Sequence, residues 1–249
     1  MNDHDTITAN KPPAALSLAG TALFLDLDGT LAPIAARPQD VKPDARLTRL
    51  IERLHRGLQG RLAVLSGRTL ADVDRILERR VPAVASVHGL IRRTSEGKVV
   101  DREPHPGLPE AAEAIRAFAR RDDGLLVEDK GHSIALHFRL APSLAREAAA
   151  LAEALAARTG LVLQPGHMVV ELRTPGPSKG DSLQDFMAAA PFAGAVPVFV
   201  GDDLTDEPAF RAAAALGGFG VLVGPARPTA ARWRMEDVGA VLDWLEAAR

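Results

Sequence analysis

Four times along this chain a short apolar run stops at a polar turn, and helical periodicity fills most of the intervals. Ala22-Leu23-Phe24-Leu25 stops at Asp26-Leu27-Asp28-Gly29-Thr30, Arg61–Leu65 at Ser66-Gly67-Arg68, Pro82–Val87 at His88-Gly89, and Pro197–Val200 at Gly201-Asp202-Asp203. Apolar runs without alternation belong to strands buried on both faces, and strands alternating with helices form βαβ units around a mainly parallel sheet. The strand ends then share one edge, the edge at which open α/β sheets bind ligands. The pattern predicts a helix from Asp44, which serves as N-cap, with Leu47, Leu50, Ile51 and Leu54 on one face. It predicts another over about Leu70–Arg79, a strand at Gly218–Val223 and a closing helix over Asp237–Ala247.

The rhythm breaks at the proline-rich stretch Arg102–Pro109 and resumes after Pro175-Gly176-Pro177. Between them the spacing predicts a helix carrying Leu108, Ala112, Ile115 and Phe118, then a hairpin of Gly124–Glu128 with Ser133–Arg139. An alanine-rich helix over Pro142–Arg158 follows, then a second hairpin of Leu161–Gln164 with Met168–Arg173. Alternation divides these strands into an apolar face with Ile134, Leu136, Phe138, Val170 and Leu172 and a polar one with Ser133, His137, Arg139, Glu171 and Arg173. The organisation expected is a flexible tail over 1–19, a Rossmann-like α/β core over 20–104 and 175–249, and an inserted α+β domain over 105–174. Pro106 and Pro175 would bracket a hinge.

Composition narrows the partners. With 30 basic and 32 acidic residues the formal net charge is −2, so no electrostatic case exists for nucleic acid or an anionic membrane, and a small-molecule substrate is expected. There is no cysteine, which removes disulfide and thiolate chemistry and allows a cytoplasmic protein. No apolar run approaches the roughly 18 residues of a membrane span, and Met1–Lys11 lacks the basic-then-apolar order of a leader.

Carboxylates from distant parts of the chain, Asp26 and Asp28 with Asp202, Asp203 and Asp206, meet on the shared sheet edge and repel one another unless a cation lies among them. Oxygen ligands without a His/Cys grouping suit Mg²⁺ rather than zinc. Asp26-Leu27-Asp28-Gly29-Thr30, Ser66-Gly67-Arg68, Lys179-Gly180 and Gly201-Asp202-Asp203 with Asp206 resemble, in order and spacing, the motifs of the haloacid-dehalogenase-like phosphatases. The insert stands where that superfamily carries C2-type caps. Its Glu128-Asp129-Lys130-Gly131, Ser133–Arg139 and Val170–Arg173 segments, with Gly201–Glu207, are similar to the trehalose-6-phosphate phosphatases.

The resemblance implies a Mg²⁺-dependent hydrolysis of trehalose 6-phosphate through an aspartyl-phosphate. Asp26 would be the nucleophile and Asp28 the acid and base. Mg²⁺ would be held by Asp26, the carbonyl of Asp28 and Asp202, and the phosphoryl oxygens by Ser66 and Lys179. Thr30, Gly67 and Arg68 would bind substrate beside them, Asp203 and Asp206 would orient metal ligands and waters, and Glu128, Lys130 and Glu171 would hold sugar hydroxyls. Leu27, where relatives often have an aromatic, would point away from the metal. The chain is expected to be free-standing, its substrate supplied by a separate trehalose-6-phosphate synthase. A phosphatase of another sugar phosphate or of a glycosyl-glycerate phosphate fits the same core. A phospho-accepting signalling domain shares the acidic edge but needs neither Asp28 nor the insert.

Overall fold

Thr21–Leu25, wholly buried, lies inside an eight-stranded sheet of the computed structural model, which describes residues 7–8, 11–166 and 168–249. Across the sheet the strands run Trp233–Met235, Phe219–Val223, Val196–Gly201, Thr21–Leu25, Leu62–Leu65, Ala83–Ser86, Ile91–Arg93 and Val99–Asp101. The first six pair in parallel, and Ile91–Arg93 turns back antiparallel on Ala83–Ser86. Chain order runs outward from Thr21–Leu25 through Leu62–Leu65 and Ala83–Ser86, whereas Val196–Gly201 returns to its other side. That reversal is the switch point at which such sheets open a crevice.

The helix Lys179–Met187 is fixed beneath this point by aromatic packing. Phe186 and Phe192 surround Phe24, with ring centroids 6.2 and 5.3 Å from it, and Phe199 meets Phe210 edge-on at 5.5 Å. Each buried Phe contributes about 1.5–3 kcal/mol by leaving water, and the cluster sets the height at which the helix begins. Ser178 starts it with a capping box, its hydroxyl accepting from Asp181 N–H while the Asp181 carboxylate accepts from Ser178 N–H. Gly180 lets this first turn approach the helix Glu207–Ala215: a Cβ there would stand 2.5 Å from the Pro208 carbonyl oxygen. Asp44 caps Ala45–Gly57 as expected, accepting from Leu47 N–H at 2.8 Å.

Two contact-defined units emerge, one of residues 1–34, 41–100 and 177–249, the other of 35–40 and 101–176. Their divisions fall close to the two proline-marked stretches. The second unit has its own antiparallel sheet, ordered Leu126–Asp129, Ser133–His137, Val169–Arg173 and Val162–Gly166. Ile134, Leu136, Phe138, Val170 and Leu172 form one core with the helices Leu108–Ala119 and Ala145–Thr159, so the alternation read from the sequence matches the buried face.

The flexible tail expected over 1–19 is corrected where it can be seen. Residues 1–6 and 9–10 lie outside the described residues, and Ile7–Thr8 pairs antiparallel with Pro228–Thr229. Residues 11–19 are tied down: Arg234 N–H donates to Lys11 O, Trp244 Nε1 to Ala14 O and Leu18 N–H to Arg249 O, and Leu16 is buried. These are mainly backbone bonds, which leave no trace in residue pattern. Among the described residues no helix is long and apolar enough to cross a membrane.

Candidate active site

Register brings the motif residues together. Leu25 pairs with Val200 on one side and Val64 on the other, so Asp26 emerges between Gly201-Asp202 and Leu65-Ser66. Its N–H continues the ladder to Val200 O at 2.9 Å. The chain then turns sharply, with the Leu31 and Ala32 N–H groups donating to Leu27 O, and Leu27 is buried. Gly29, at φ +74°, lies against Asp202 so closely that a Cβ would stand 2.1 Å from its Oδ2. Any side chain at that position would expel the carboxylate.

Asp26, Asp202 and Asp206 offer carboxylate oxygens that all lie within 4.8 Å of one another. Lys179 Nζ reaches this group from the helix start, 2.8 Å from Asp26 Oδ1 and 2.6 Å from Asp206 Oδ1. Lys179 is 3% exposed and Asp206 0%, so water does little to screen these charges. Burial alone would lower the Lys179 pKa, but Asp206 and Asp26 more than offset it and raise the pKa. Burial pushes Asp26 well up; Lys179 opposes this, and Asp206 and Asp202 add to it. Asp202 is pushed up to about 7, first by burial and then by Asp206. One ammonium does not balance three carboxylates, and a hard divalent cation fits the surplus and the all-oxygen donor set. The Thr30 hydroxyl, buried and without a hydrogen-bond partner among the described residues, adds an unused polar group to the same motif.

A pH dependence follows. An acid whose folded pKa exceeds its unfolded value holds an extra proton when folded, so the metal-free protein should lose stability as pH rises from about 4 towards 7. A cation that requires ionised Asp202 gains over the same interval. The rise in melting temperature produced by Mg²⁺ should therefore be larger at about pH 8 than at about pH 5.5; calorimetry showing a flat or reversed trend would contradict this.

The remaining motif residues are placed as follows. The Arg68 guanidinium forks onto Asp28, Nε to Oδ2 at 2.6 Å and Nη2 to Oδ1 at 2.7 Å, so this side chain, expected on the substrate, is engaged with the neighbouring carboxylate. Ser66 Oγ accepts from Arg68 N–H at 3.2 Å, which leaves its own proton to donate. The turn is clamped by Val87 N–H to Arg68 O and His88 N–H to Ser66 O, and the His88 ring lies against Gly67. To make these bonds Val87 takes φ +46°, a costly conformation for a β-branched residue. Asp203 stays outside the carboxylate group and caps the turn Leu204–Asp206, accepting from Leu204 N–H. Asp206 lies inside the group. The 3-10 turn Leu204–Asp206, capped by Asp203, carries it there.

The second unit holds its own polar cluster. Pairing aligns Glu128, Ala135, Glu171 and Gln164 in one row across the sheet face opposite the apolar core. Lys130 Nζ meets Glu171 Oε2 at 2.7 Å and Glu128 Oε2 at 4.0 Å. Ser133 Oγ donates to Glu171 Oε1 at 2.5 Å, and His137 Nε2 lies 2.9 Å from Glu128 Oε2. Burial would raise the Glu128 pKa, yet it is lowered because the His137 contact and Lys130 outweigh burial. Glu171 has both oxygens bonded, whereas among the described residues Glu128 is bonded through Oε2. Ser133 and His137 were not singled out from the sequence, although alternation placed both on this face.

Residues 24–238 match the family profile of trehalose-phosphatase. The chain is 36% identical to the trehalose-6-phosphate phosphatase of Escherichia coli (strain K12), covering 90% of this chain and 85% of the relative. It is 36% identical to the probable trehalose-phosphate phosphatase of Sinorhizobium fredii (strain NBRC 101917 / NGR234), covering 83% and 79%. The crystal structure of a trehalose-6-phosphate phosphatase related protein superposes with a TM-score of 0.76 at 26% identity, over 90% of this chain and 95% of that one. With these matches, the chain belongs to the trehalose-phosphatase family, shares the fold of haloacid-dehalogenase-like proteins, and is a phosphoric monoester hydrolase.

Proposed function

We propose that the protein hydrolyses trehalose 6-phosphate to trehalose and phosphate, with Asp26 as nucleophile and Mg²⁺ held by Asp26, Asp202 and the Asp28 carbonyl, assisted by Asp206. The observation that carries this reading is the group of Asp26, Asp202 and Asp206 beside buried Lys179 at the switch point of the sheet. That the Escherichia coli relative is a trehalose-6-phosphate phosphatase and the Sinorhizobium fredii relative a probable trehalose-phosphate phosphatase favours trehalose 6-phosphate as substrate.

Asp26 attacks phosphorus, an Asp26–phosphorus bond forms as the bond to the sugar oxygen breaks, and Asp28 gives the departing oxygen its proton. Asp28 then takes a proton from water, the water oxygen bonds to phosphorus, and the Asp26 carboxylate is released. The Arg68 fork occupies both oxygens of Asp28, so Asp28 has to release at least one to meet the leaving group. Lys179 has a third N–H beyond those given to Asp26 and Asp206, and with the Ser66 hydroxyl it faces the charge collecting on the phosphoryl oxygens. Bound Mg²⁺ would neutralise part of that charge and align the phosphoryl group. Thr30 and the Gly67 backbone complete the phosphate contacts, while Asp203 holds the ligand loop. Formation of the substrate, by sugar transfer to a sugar phosphate, we assign to a separate trehalose-6-phosphate synthase.

Sugar recognition is assigned to the second unit. Glu128, with an oxygen to spare, accepts sugar hydroxyls, Lys130 donates to them, and Glu171 chiefly holds Lys130. Losing a hydrogen bond to a charged group costs about 1.5–3 kcal/mol, or roughly 10- to 150-fold. Glu128→Gln should cut kcat/KM for trehalose 6-phosphate by about that factor and leave a small aryl phosphate almost unaffected. Phosphate release from a panel including trehalose 6-phosphate, other sugar phosphates and a glycosyl-glycerate phosphate decides the substrate. Equal loss on every substrate, or preference for another sugar phosphate, would overturn the assignment.

A further inference from the structure

We infer that Arg227, anchored by Glu207, is a positioning residue that sets where the Asp202 carboxylate stands, and so tunes the affinity of the carboxylate group for a divalent cation. The inference rests on the metal reading above. Glu207 closes the Gly201–Glu207 segment, whereas Arg227 lies outside every motif quoted from the sequence.

Asp202 lies one residue beyond the strand Val196–Gly201, so the sheet ladder does not hold it, and rotation of its peptide would swing the side chain away from Asp26 and Asp206. Arg227 holds that peptide. Its Nη2 donates to Asp203 O at 2.9 Å and to Asp202 O at 3.4 Å, while Nη1 donates to Glu207 Oε1 and, at 3.1 Å, to Pro228 O. Glu207 opens the helix Glu207–Ala215 and is itself fixed, accepting from Thr229 Oγ1 and from Ala230 N–H, each at 2.8 Å. One arm of the fork is thus tied to a helix start and the other to the backbone of the ligand loop. A planar guanidinium spans both; the single point charge of lysine does not.

Two physical effects oppose each other here. The positive charge of Arg227 repels a nearby cation, although Glu207 offsets much of its field. The hydrogen bonds keep Asp202 turned towards its partners. If the field dominated, removing Arg227 would tighten cation binding; if positioning dominates, it weakens it. Partners that orient metal ligands from behind typically account for about 10- to 100-fold in affinity.

The test uses the full chain stripped of metal and free of substrate, titrated with Mn²⁺ as the probe and free Mn²⁺ read by electron paramagnetic resonance. Arg227→Gln and Glu207→Gln should each raise the Kd by about 10- to 100-fold. Arg227→Lys, which keeps the charge, should weaken binding in the same direction. The activity loss should sit in the Mg²⁺ dependence and be recovered as Mg²⁺ is raised. Should these variants fail to fold, Thr229→Val removes one donor to Glu207 and should give a smaller rise in Kd. Folded variants that bind Mn²⁺ as tightly as the wild type, or more tightly, overturn the brace alone. A wild type that binds no Mn²⁺ overturns both the brace and the metal reading.

Discussion

Asp26→Asn should reduce phosphate release by on the order of 10⁴-fold or more, yet leave the metal-free protein at least as stable as the wild type. The amide keeps the shape and loses the proposed nucleophile. The stability half of this expectation runs against what a lone ion pair would give. Asp26 lies 2.8 Å from Lys179, and cutting a buried pair ordinarily destabilises. Here, however, burial and the neighbours Asp206 and Asp202 raise the Asp26 pKa despite Lys179, so a neutral side chain relieves more repulsion than it forfeits attraction. A raised folded pKa also sets the sign with pH: the wild type loses stability as pH climbs above the unfolded carboxylate value, and Asn does not. The gap in melting temperature should therefore widen in favour of Asp26→Asn as pH rises. A folded Asp26→Asn protein with substantial turnover would remove Asp26 from the chemistry; one that is destabilised and increasingly so with pH would mean that Lys179 dominates the group.

Lys179→Met should do the reverse to stability. It fills much of the same volume but removes the ammonium that meets Asp26 and Asp206, leaving Asp26, Asp202 and Asp206 within 4.8 Å of one another. Removing one partner from a buried ion pair costs about 3–5 kcal/mol, and part of that should return on acidification, when a carboxylate takes up a proton, or on adding Mg²⁺. Turnover should fall by about 10²- to 10³-fold, the loss expected for one donor aimed at transition-state charge. Thermal melts with and without Mg²⁺ check this: the metal should stabilise Lys179→Met more than the wild type. Equal stabilisation of both proteins would show that Lys179 and the cation do not act on the same carboxylates.

What was legible in the sequence follows from how local each signal is. Asp26, Ser66 and Asp202 could be found because each ends, or closely follows, an apolar run, and parallel strands put those ends on one edge. Lys179 could be found because Ser178 and Asp181 mark a helix start. The polar face with Glu171 was readable because strand alternation has a period of two, whereas Glu128 was reached only through the family resemblance. The strand Ile91–Arg93 was not: Arg93 is buried because its guanidinium forks onto Asp74 at 2.7 Å through both arms, nineteen residues away in the chain. Val99–Asp101 and Trp233–Met235 escaped because they are three-residue strands, too short to establish a period. Arg227 and Glu207 form a contact across twenty residues for which no spacing rule exists. The Arg68 fork on Asp28 depends on the sharp turn at Gly29, which the motif contains but whose consequence for side-chain direction appears only in three dimensions.

The most direct test of covalent catalysis is to find where phosphate resides between the two displacements. The wild-type protein with Mg²⁺ is mixed with trehalose 6-phosphate, quenched in acid during turnover and reduced with borohydride, which converts an acyl phosphate of aspartate to homoserine. Peptide mass spectrometry should then show homoserine at position 26, and none at position 28 or 202. Full turnover with aspartate unmodified at position 26 under quench conditions that preserve an acyl phosphate, or homoserine at another position, would contradict the account.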